Sequence, residues 1–505
     1  MNEHETLPAP LLALVTIALA LATFMQVLDT TIANVSIPSI AGNLGVTSTQ
    51  GTWVITAFTA SNAISMPLTG WLAKRFGEVR LFVFSTLLFA VTSMMCGLSP
   101  TYEMLIAARV LQGAVAAPMM PLSQSLLLAN YPQHKKGLAL AFWAMTATIG
   151  PIAGPLLGGY ITDNFSWSWI FYINVPIGVI SSFVVWQMLK KRETNTSKFP
   201  IDFIGLALLV VGVGTLQIML DKGNELDWFE SNTIITLGIT AFIAVCFFIA
   251  WELYDDHPVI DLTLFKNRNF TIGTVSIALG YTVFLGGGVV FPLWLQTQLG
   301  YTAFWAGFAS AAVGIFAFLF SPIVGNNLHR LNLRVLVSVS FILFALSYFW
   351  MANFTTDIDI IHASLPRLLM GIGMAMFFVP LTSIIISEIH PSKIASAMGV
   401  VNFLRILGGG FGTSIAVSMW TTRGDYHHAL YSEQITRFSH ATEQFSAVVS
   451  KMSIPPLSFI NHVINQQALT RANDDILLIS GYIFLSLIVL IWFAKPPFMP
   501  SRAKN

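Results

Sequence analysis

The 505-residue chain contains little charge and almost no cysteine. Charged residues make up 10% of it, and 25 basic residues nearly balance 24 acidic ones, so the formal net charge is only +1. This composition argues against a nucleic-acid-binding protein and against a disordered chain. The two cysteines, Cys96 and Cys246, lie far apart within apolar stretches, so we expect two buried thiols and no disulfide.

Motifs for catalysis and nucleotide binding are also missing. The sequence contains no G-x-x-x-x-G-K-[ST] loop for ATP, no H-E-x-x-H zinc motif and no G-x-S-x-G nucleophile turn. The histidines of one polar segment, His427, His428, His440 and His462, are spaced too widely to suggest a metal site. We therefore expect no enzymatic activity, no cofactor and no bound metal.

Apolar residues are abundant, at 55% of the chain, and the mean hydropathy is +0.72. A helix rises 1.5 Å per residue, so about 20 apolar residues cross a hydrocarbon core of about 30 Å. The sequence thus predicts an all-α polytopic membrane protein with fourteen transmembrane helices. The predicted spans are 11–38, 51–73, 79–98, 102–130, 137–162, 168–189, 202–220, 232–252, 270–299, 304–326, 334–353, 362–387, 394–421 and 474–494.

Basic residues in the loops predict the orientation. Seventeen lie in loops or tails on the side of the termini, whereas the short loops opposite hold one, Lys222. Since basic loops stay in the cytoplasm, both termini are predicted to be cytoplasmic. Ala18-Leu19-Ala20 resembles a signal-peptide cleavage site, but the segment before it lacks Lys and Arg and the apolar run continues to Ile32. We therefore expect the first helix to remain in the membrane.

Two sequence matches indicate an internal repeat. Arg109 to Gly113 in the fourth span recurs as Arg367 to Gly371 in the twelfth, at an offset of 258, and each is followed by Pro-Leu-Ser/Thr. Residues 67–75 after the second span recur as 322–330 after the tenth, at an offset of 255. A parallel repeat of six spans follows. It predicts an N-terminal six-helix bundle (1–190), two inserted transmembrane helices (191–260) and a C-terminal six-helix bundle (261–505) that includes an outer loop (422–473).

Glycines at intervals of four residues mark the fifth and thirteenth spans. Such spacing lets helices approach closely. Tight packing within a bundle would explain it, and so would a contact between the two bundles that slides or rocks. The residues concerned are Gly150, Gly154, Pro155, Gly158, Gly159, Gly408 and Gly412.

Three charged residues lie deep in predicted spans, where charges are costly and usually functional. Asp29 and Arg109 lie at similar depths in the outer half, which would permit an ion pair, and Arg405 lies about a dozen residues into the thirteenth span. We regard all three as candidates for proton coupling, because a buried carboxylate beside a guanidinium is a suitable proton carrier. Arg367 is expected to snorkel to the interface, and Asp163, Asp221, Glu252 and Glu388 to be solvated at helix ends.

A substrate cavity would need large side chains with a few polar groups among them. Tyr281 and Phe284 of the ninth span, together with Gln112 of the fourth, are the candidates for its lining. Packing against lipid or protein explains each of them individually as well.

Taken together, these motifs resemble the major facilitator superfamily, in its fourteen-span drug:proton antiporter branch and closest to the EmrB-type efflux pumps. The segment Leu28 to Val35 with Pro38 resembles the first-helix motif of that branch, and Gly154-Pro155-Leu-Leu-Gly158-Gly159 resembles its antiporter motif. Trp169 to Gly178 is also typical of the branch. The resemblance implies a proton-coupling role for Asp29 and for Arg109, and a conformational loop containing Gly70, Arg75 and Gly77.

The resemblance implies proton-driven export of hydrophobic or amphipathic drugs by alternating access in the inner membrane. It also implies a tripartite assembly, in which the long outer loop faces a periplasmic membrane-fusion adaptor that leads to an outer-membrane channel. A dedicated exporter of one metabolite or fatty acid is the alternative. Departures from the usual family pattern leave the finer subgroup open; they are Lys74, Glu78, Ser168 and Ala312.

Overall fold

The computed structural model describes residues 8–131, 150, 153–194, 196, 202–255, 258–327, 331–389, 394–435, 455–496 and 498. Within them the chain forms helices and turns but no strand. The helices of the first part are α1 (Ala9–Ile32), α2 (Ile37–Leu44), α3 (Ser48–Gly51), α4 (Trp53–Ser65), α5 (Thr69–Phe76), α6 (Glu78–Gly97), α7 (Tyr102–Ala116), α8 (Met119–Asn130), α9 (153–164), α10 (Trp169–Tyr172) and α11 (Asn174–Leu189). The remaining helices are α12 (Phe203–Lys222), α13 (Asn232–Tyr254), α14 (Arg268–Thr297), α15 (Ala303–Asn327), α16 (Leu333–Met351), α17 (Ile360–Ala375), α18 (Phe378–Ile386), α19 (Ile394–Gln434) and α20 (Pro456–Ile491).

Twelve helical segments in the described part of the chain are long and apolar enough to cross a membrane. Two predicted spans are not among them. The second is divided into α4 and α5 by a 3₁₀ turn at Met66–Leu68 that contains Pro67. The fifth lies mostly outside the described residues, which show only its final part as α9. The multi-pass helical fold is thus confirmed.

Matching breaks divide the fourth and twelfth predicted spans. Proline lacks an N–H, so the carbonyl four residues earlier loses its helical hydrogen bond. Pro121 and Pro380 each occupy the third position of the second helix, in α8 and α18. The carbonyls they leave free belong to Ala117 and Met376, which lie at the two breaks.

The repeat is also visible in helix packing. A Cβ added to Gly113 would lie 2.3 Å from the Phe58 carbonyl oxygen and 3.1 Å from the Asn62 nitrogen. A Cβ added to Gly371 would lie 2.2 Å from the Val313 carbonyl oxygen and 3.1 Å from the Ala317 nitrogen. These two contacts are related by the offsets of 258 and 255 found in the sequence. Glycine at both positions therefore allows the same backbone approach between corresponding helices.

Two ends of the helical bundle can be distinguished by their contacts. At the end nearer the chain termini, Thr16 near the start of α1 bonds Tyr131 after α8 at 2.8 Å. There Lys495, beyond α20, also exchanges two hydrogen bonds with the Asn269 side chain. At the distal end, Asp163 at the end of α9 accepts a hydrogen bond from the Phe304 N–H at the start of α15, at 2.8 Å. This last contact joins α9 of the predicted N-terminal bundle to α15 of the predicted C-terminal bundle.

Helices α12 and α13, the two predicted to be inserted between the bundles, pack against each other and expose large apolar side chains on the outside. Phe242 is 72% exposed and Phe247 63%, as expected of side chains that face lipid. Cys246 is exposed on this surface as well, so the expectation that it is buried was wrong, whereas Cys96 is buried. A thiol is small enough to be tolerated on either side of a helix.

The predicted outer loop at 422–473 is largely helical in its described part. Helix α19 continues to Gln434, and α20 begins at Pro456, well before the predicted span at 474. At 1.5 Å per residue, α19 extends about 20 Å beyond Thr422. The two helices therefore form a hairpin beyond the distal end of the spans, and residues 436–454 lie outside the described part of the chain.

Candidate functional site

Asp29 and Arg109 form a buried ion pair between α1 and α7. The Asp29 side chain is fully enclosed and Arg109 is 1% exposed. An Arg109 Nη1 group donates to Asp29 Oδ2 at 2.6 Å. The structure therefore brings together the two residues that the sequence placed at the same depth.

Uncharged donors complete the environment of the Asp29 carboxylate. Its Oδ1 accepts from Asn174 Nδ2 at 2.9 Å and from Gln112 Nε2 at 3.2 Å. The Gln112 amide also donates to the Ser93 hydroxyl at 2.7 Å. Asp29, Gln112, Asn174 and Ser93 are all buried. We call these residues together with Arg109 the Asp29 network.

The Arg109 guanidinium is also satisfied beyond the ion pair. Its Nε donates to the Val54 carbonyl at 2.8 Å, and Nη1 donates to Gln112 Oε1 at 2.6 Å. The Phe58 ring lies 4.2 Å from the guanidinium carbon, close enough for a cation–π contact. A buried ion pair is tolerable only when further hydrogen bonds offset the desolvation of both charges. This network supplies them.

Gln112 was expected to line the substrate cavity, but in the conformation described it lies in the Asp29 network. Its side chain is fully enclosed, and both ends of the amide are used by the Asp29 network. The sequence reasoning also assigned no role to Asn174 or Ser93. Asn174 lies within the segment that resembles the drug:proton antiporter branch, and an amide in an apolar span was the available signal.

The glycines of the fifth span pack mainly on α1. A Cβ on Gly150 would meet Val27 at 2.4 Å, one on Gly154 would meet Thr31 at 2.0 Å, and one on Gly158 would meet the Ile32 carbonyl at 2.5 Å. The thirteenth span repeats the arrangement, because a Cβ on Gly408 would meet the Thr282 hydroxyl at 2.6 Å and one on Gly412 the Thr282 carbonyl at 2.1 Å. Each of these contacts lies within one predicted bundle.

Other glycines, among them Gly159 and Gly307, contact across the two predicted sets of spans. A Cβ on Gly159 would lie 2.4 Å from the Ala303 carbonyl, and one on Gly307 would lie 2.1 Å from the Pro155 carbonyl. The interpretation of the glycines as a contact between bundles therefore applies to Gly159 and to the carbonyl of Pro155. Gly150, Gly154, Gly158, Gly408 and Gly412 pack tightly within a bundle instead.

The loop after α5 depends on Gly77. This residue has φ of +93°, a conformation that costs other residues energy, and an added Cβ would lie 2.4 Å from the Glu193 side chain. Glu193 accepts hydrogen bonds from the Val79 and Arg80 N–H groups at 3.0 and 2.9 Å, at the start of α6. Gly70 has no atom near its Cβ position, and Arg75 is exposed. Only Gly77 of the three is held by its surroundings.

Arg405 occupies a different environment from Arg109. It is partly exposed, and its guanidinium carbon lies 5.1 Å from the centre of the Tyr281 ring and 5.5 Å from that of Phe378. Tyr281 stacks on Phe284 with ring centres 6.3 Å apart. Of the predicted cavity residues, Tyr281 thus lies beside Arg405 and Phe284 stacks on Tyr281. Arg405 is not part of the Asp29 network.

Arg367 does not reach the interface, so the snorkelling expectation was wrong. It is 4% exposed, and its guanidinium carbon lies 4.5 Å from the centre of the Phe291 ring. The aromatic face provides a favourable site for the cation within the bundle. The positive charge of Arg367 is therefore buried, although the residue lies near the end of its predicted span.

Two acidic residues that were expected to be solvated are held by protein groups. Asp221 accepts from Thr56 Oγ1 at 2.8 Å, from Gln217 Nε2 at 3.0 Å and from the Ser414 hydroxyl. It thereby joins α12 to α4 and to α19. Glu252 is 3% exposed and accepts from the Ile260 N–H at 2.8 Å. Asp163 and Glu388 are exposed, as expected.

Comparison with known proteins identifies the family. The profile described as Major Facilitator Superfamily matches residues 19–413. The multidrug export protein EmrB of Escherichia coli (strain K12) is 51% identical over 99% of this chain and 98% of its own. The fatty acid resistance protein FarB of Neisseria gonorrhoeae is 48% identical over 98% of both chains.

Solved structures share the fold. The crystal structure of an auto inhibited POT family peptide transporter has a TM-score of 0.66 at 14% identity and covers 98% of this chain and 99% of its own. The crystal structure of a bacterial homologue of the human lysosomal transporter Spinster, inward-facing and unoccupied, has a TM-score of 0.60 and covers 97% and 100%. The resemblance seen in the sequence is confirmed, and the chain belongs to the Major Facilitator Superfamily of membrane transporters.

Proposed function

We propose that this protein exports hydrophobic and amphipathic compounds across the inner membrane, driven by protons that enter from outside. The observation that carries the proposal is the fully buried Asp29–Arg109 pair, whose atoms lie 2.6 Å apart. Intramembrane ion pairs are costly and commonly mark proton pathways. The full-length similarity to multidrug export proteins supports the direction of transport and the class of substrate.

Proton coupling follows from the chemistry of the Asp29 network. A proton on Asp29 removes the negative charge that faces Arg109, and the guanidinium then depends on uncharged partners, among them the Val54 carbonyl, Gln112 and the Phe58 ring. The carboxylate is enclosed in the conformation described, so the proton must arrive when α1 and α7 rearrange. Protonation and the change of conformation are thereby linked, which is the requirement for alternating access.

The proposed architecture has fourteen spans, with both termini in the cytoplasm. The bundles 1–190 and 261–505 rock against each other, and the pair within 191–260 is inserted between them. The distal contact of Asp163 with Phe304 opens during this motion, while the tight glycine contacts keep each bundle rigid. Gly70 and Arg75, which lie in α5, and Gly77 directly after it form the conformational segment on the cytoplasmic side.

The proposal also includes a tripartite assembly. The hairpin of α19 and α20 projects from the distal end of the bundle, which faces the periplasm in the proposed orientation. It is positioned to contact a periplasmic adaptor that continues to an outer-membrane channel. Deleting the adaptor gene should then abolish resistance in cells while leaving transport by the purified protein in vesicles unchanged.

A dedicated exporter of one fatty acid or metabolite is the second candidate. The similarity to the fatty acid resistance protein FarB, at 48% identity, is the observation that favours it. A panel of unrelated dyes and drugs distinguishes the two candidates. Broad resistance in an expressing strain supports the multidrug exporter, and resistance to fatty acids alone supports the dedicated one.

Efflux of a hydrophobic fluorescent dye from cells tests proton coupling. Asp29→Asn and addition of a protonophore should each abolish efflux, whereas Glu388→Gln, which removes an exposed carboxylate, should leave it unchanged. All variants are compared at equal amounts in the membrane. Efflux that survives Asp29→Asn but stops with the protonophore would place coupling at another residue, and efflux that survives both would contradict proton drive.

A further inference from the structure

Arg405 is a cation within a predicted membrane span. None of the residues that the structure describes neutralises its charge. It lies on α19, about three helical turns after Ile394. Among the described residues no carboxylate comes within 4.0 Å of it, and its buried Nε has no hydrogen-bond acceptor. Arg109, in contrast, has both a carboxylate and a carbonyl as partners. Since an isolated charge is costly within a bilayer, the position of Arg405 calls for a further contact.

The surroundings of Arg405 are aromatic. Tyr281, Phe284 and Phe378 lie on α14 and α18, and with Arg405 they form what we call the Arg405 patch. Tyr281 contacts each of the others, with ring centres 6.3 Å from Phe284 and 6.1 Å from Phe378. All four side chains are partly exposed, unlike the enclosed Asp29 network. The patch therefore offers an accessible cation beside an apolar surface.

Such a patch fits an amphiphile with an acidic head. A guanidinium presents paired N–H donors that match the two oxygens of a carboxylate. The aromatic rings accept the hydrocarbon part of the same molecule. Tyr281 and Phe378 also contact the cation, so the guanidinium is held in place before an anion arrives. A neutral amphiphile would gain only the apolar contacts.

We propose that the Arg405 patch binds the carboxylate of anionic amphiphiles, and that Arg405 selects them over neutral compounds of the same shape. The inference rests on the proposed export function, because it names the substrate class that the transporter carries. It also gives Arg405 a role in substrate binding instead of the proton coupling expected from the sequence.

Two probes that differ only in the head group test this. The full-length protein, purified in detergent, is titrated with 11-(dansylamino)undecanoic acid and with its primary amide, and binding is followed by dansyl fluorescence. The wild type should bind the acid at least tenfold more tightly than the amide. Arg405→Gln should weaken binding of the acid about tenfold or more, equivalent to about 1.4 kcal/mol. It should leave the affinity for the amide within about twofold.

Two variants serve as controls. Arg405→Lys keeps the charge but loses the paired donors, so it should retain part of the preference for the acid. Arg268→Gln removes an exposed arginine that also lies near an aromatic ring, 5.9 Å from the centre of Phe493, and should behave as the wild type. Unchanged binding of the amide shows that each variant is folded.

Several outcomes would overturn the proposal. These are equal binding of the two probes by the wild type, no binding of either, or equal weakening of both by Arg405→Gln. Transport into proteoliposomes under a pH gradient separates the roles. If Arg405→Gln binds both probes normally but transports neither, Arg405 acts in coupling and the proposal fails. If the wild type transports neither probe, the export function fails, while the binding titration still decides the role of Arg405.

Discussion

Replacing Asp29 with Asn keeps the shape of the side chain and removes its charge. The carboxylate accepts hydrogen bonds on both oxygens, from Arg109 on one and from Gln112 and Asn174 on the other. Whichever way the new amide is oriented, its N–H₂ group faces a donor. The substitution therefore leaves Arg109 without its counter-charge and, in either orientation, sets the new N–H₂ group against at least one donor of the network.

The expected loss of stability follows from the burial of the Asp29–Arg109 pair. Removing one partner of a buried ion pair typically costs 3–5 kcal/mol, compared with about 0.2–1 kcal/mol for an exposed pair. Arg109 keeps the Val54 carbonyl at 2.8 Å and the Phe58 ring at 4.2 Å, which favours the lower end of the range. We expect Asp29→Asn to reduce the free energy of unfolding by about 3 kcal/mol. Adding Arg109→Met should restore much of that loss, because an apolar residue requires no counter-charge.

Steric trapping in bicelles measures these free energies of unfolding for the two single variants and the double variant. The expected coupling energy between Asp29 and Arg109 exceeds about 3 kcal/mol, because each single variant leaves the other residue buried without its partner and the double variant does not. Thr16→Val, which removes the hydrogen bond to Tyr131, is the control and should cost about 1 kcal/mol. A coupling energy below about 1 kcal/mol would refute the reasoning, because the pair would then behave as if it were exposed to solvent.

Three further predictions concern packing and stability. Gly412→Ala would place a Cβ 2.1 Å from a backbone oxygen of α14, so it should lower the free energy of unfolding by about 1–3 kcal/mol in the same assay. Gly399→Ala in the same helix meets nothing within 4 Å and should be neutral or stabilising. Gly77→Ala should lower the free energy of unfolding by about 1–2 kcal/mol because φ of Gly77 is +93°. Gly70→Ala, where an added Cβ meets nothing within 4 Å, should not lower it. Equal effects of the two substitutions would contradict the role of backbone conformation. Asp221→Ala should lower the free energy of unfolding by about 1–3 kcal/mol through the loss of its three hydrogen bonds. Asp221→Asn, which retains an acceptor, is the control and should cost less. No effect from either substitution would show that the contact of α12 with α4 and α19 at Asp221 contributes nothing to stability.

Hydrophobic run length predicted the helices well, because each span must satisfy its own backbone hydrogen bonds in lipid. The run 79–98 corresponds to Glu78–Gly97, and 334–353 corresponds to Leu333–Met351. The predictions were poorer where a helix continues past its apolar run, as α19 does to Gln434. Hydropathy indicates where an apolar run ends. It does not show whether the helix continues beyond that point as a polar segment.

Burial of the polar residues was harder to predict. Arg367 and Glu252 lie near the ends of apolar runs, where solvation is usual, but both are buried in the structure. The position of each residue along the sequence predicts its depth in the membrane. It does not predict the direction in which the side chain points. A helix rotates by about 100° per residue, so the neighbour that a side chain meets depends on how the whole helix is packed.

The sequence by itself determined that the chain is a helical membrane protein with an internal repeat, and it placed Asp29 and Arg109 at the same depth. These properties depend on composition and on spacing along single helices. Only the tertiary structure decided that Gln112, Asn174 and Ser93 complete the Asp29 network and that Arg405 lies beside Tyr281 and Phe378. Those contacts join helices far apart in the sequence, and they form only where the packing of the bundle fixes both the rotation and the separation of each pair.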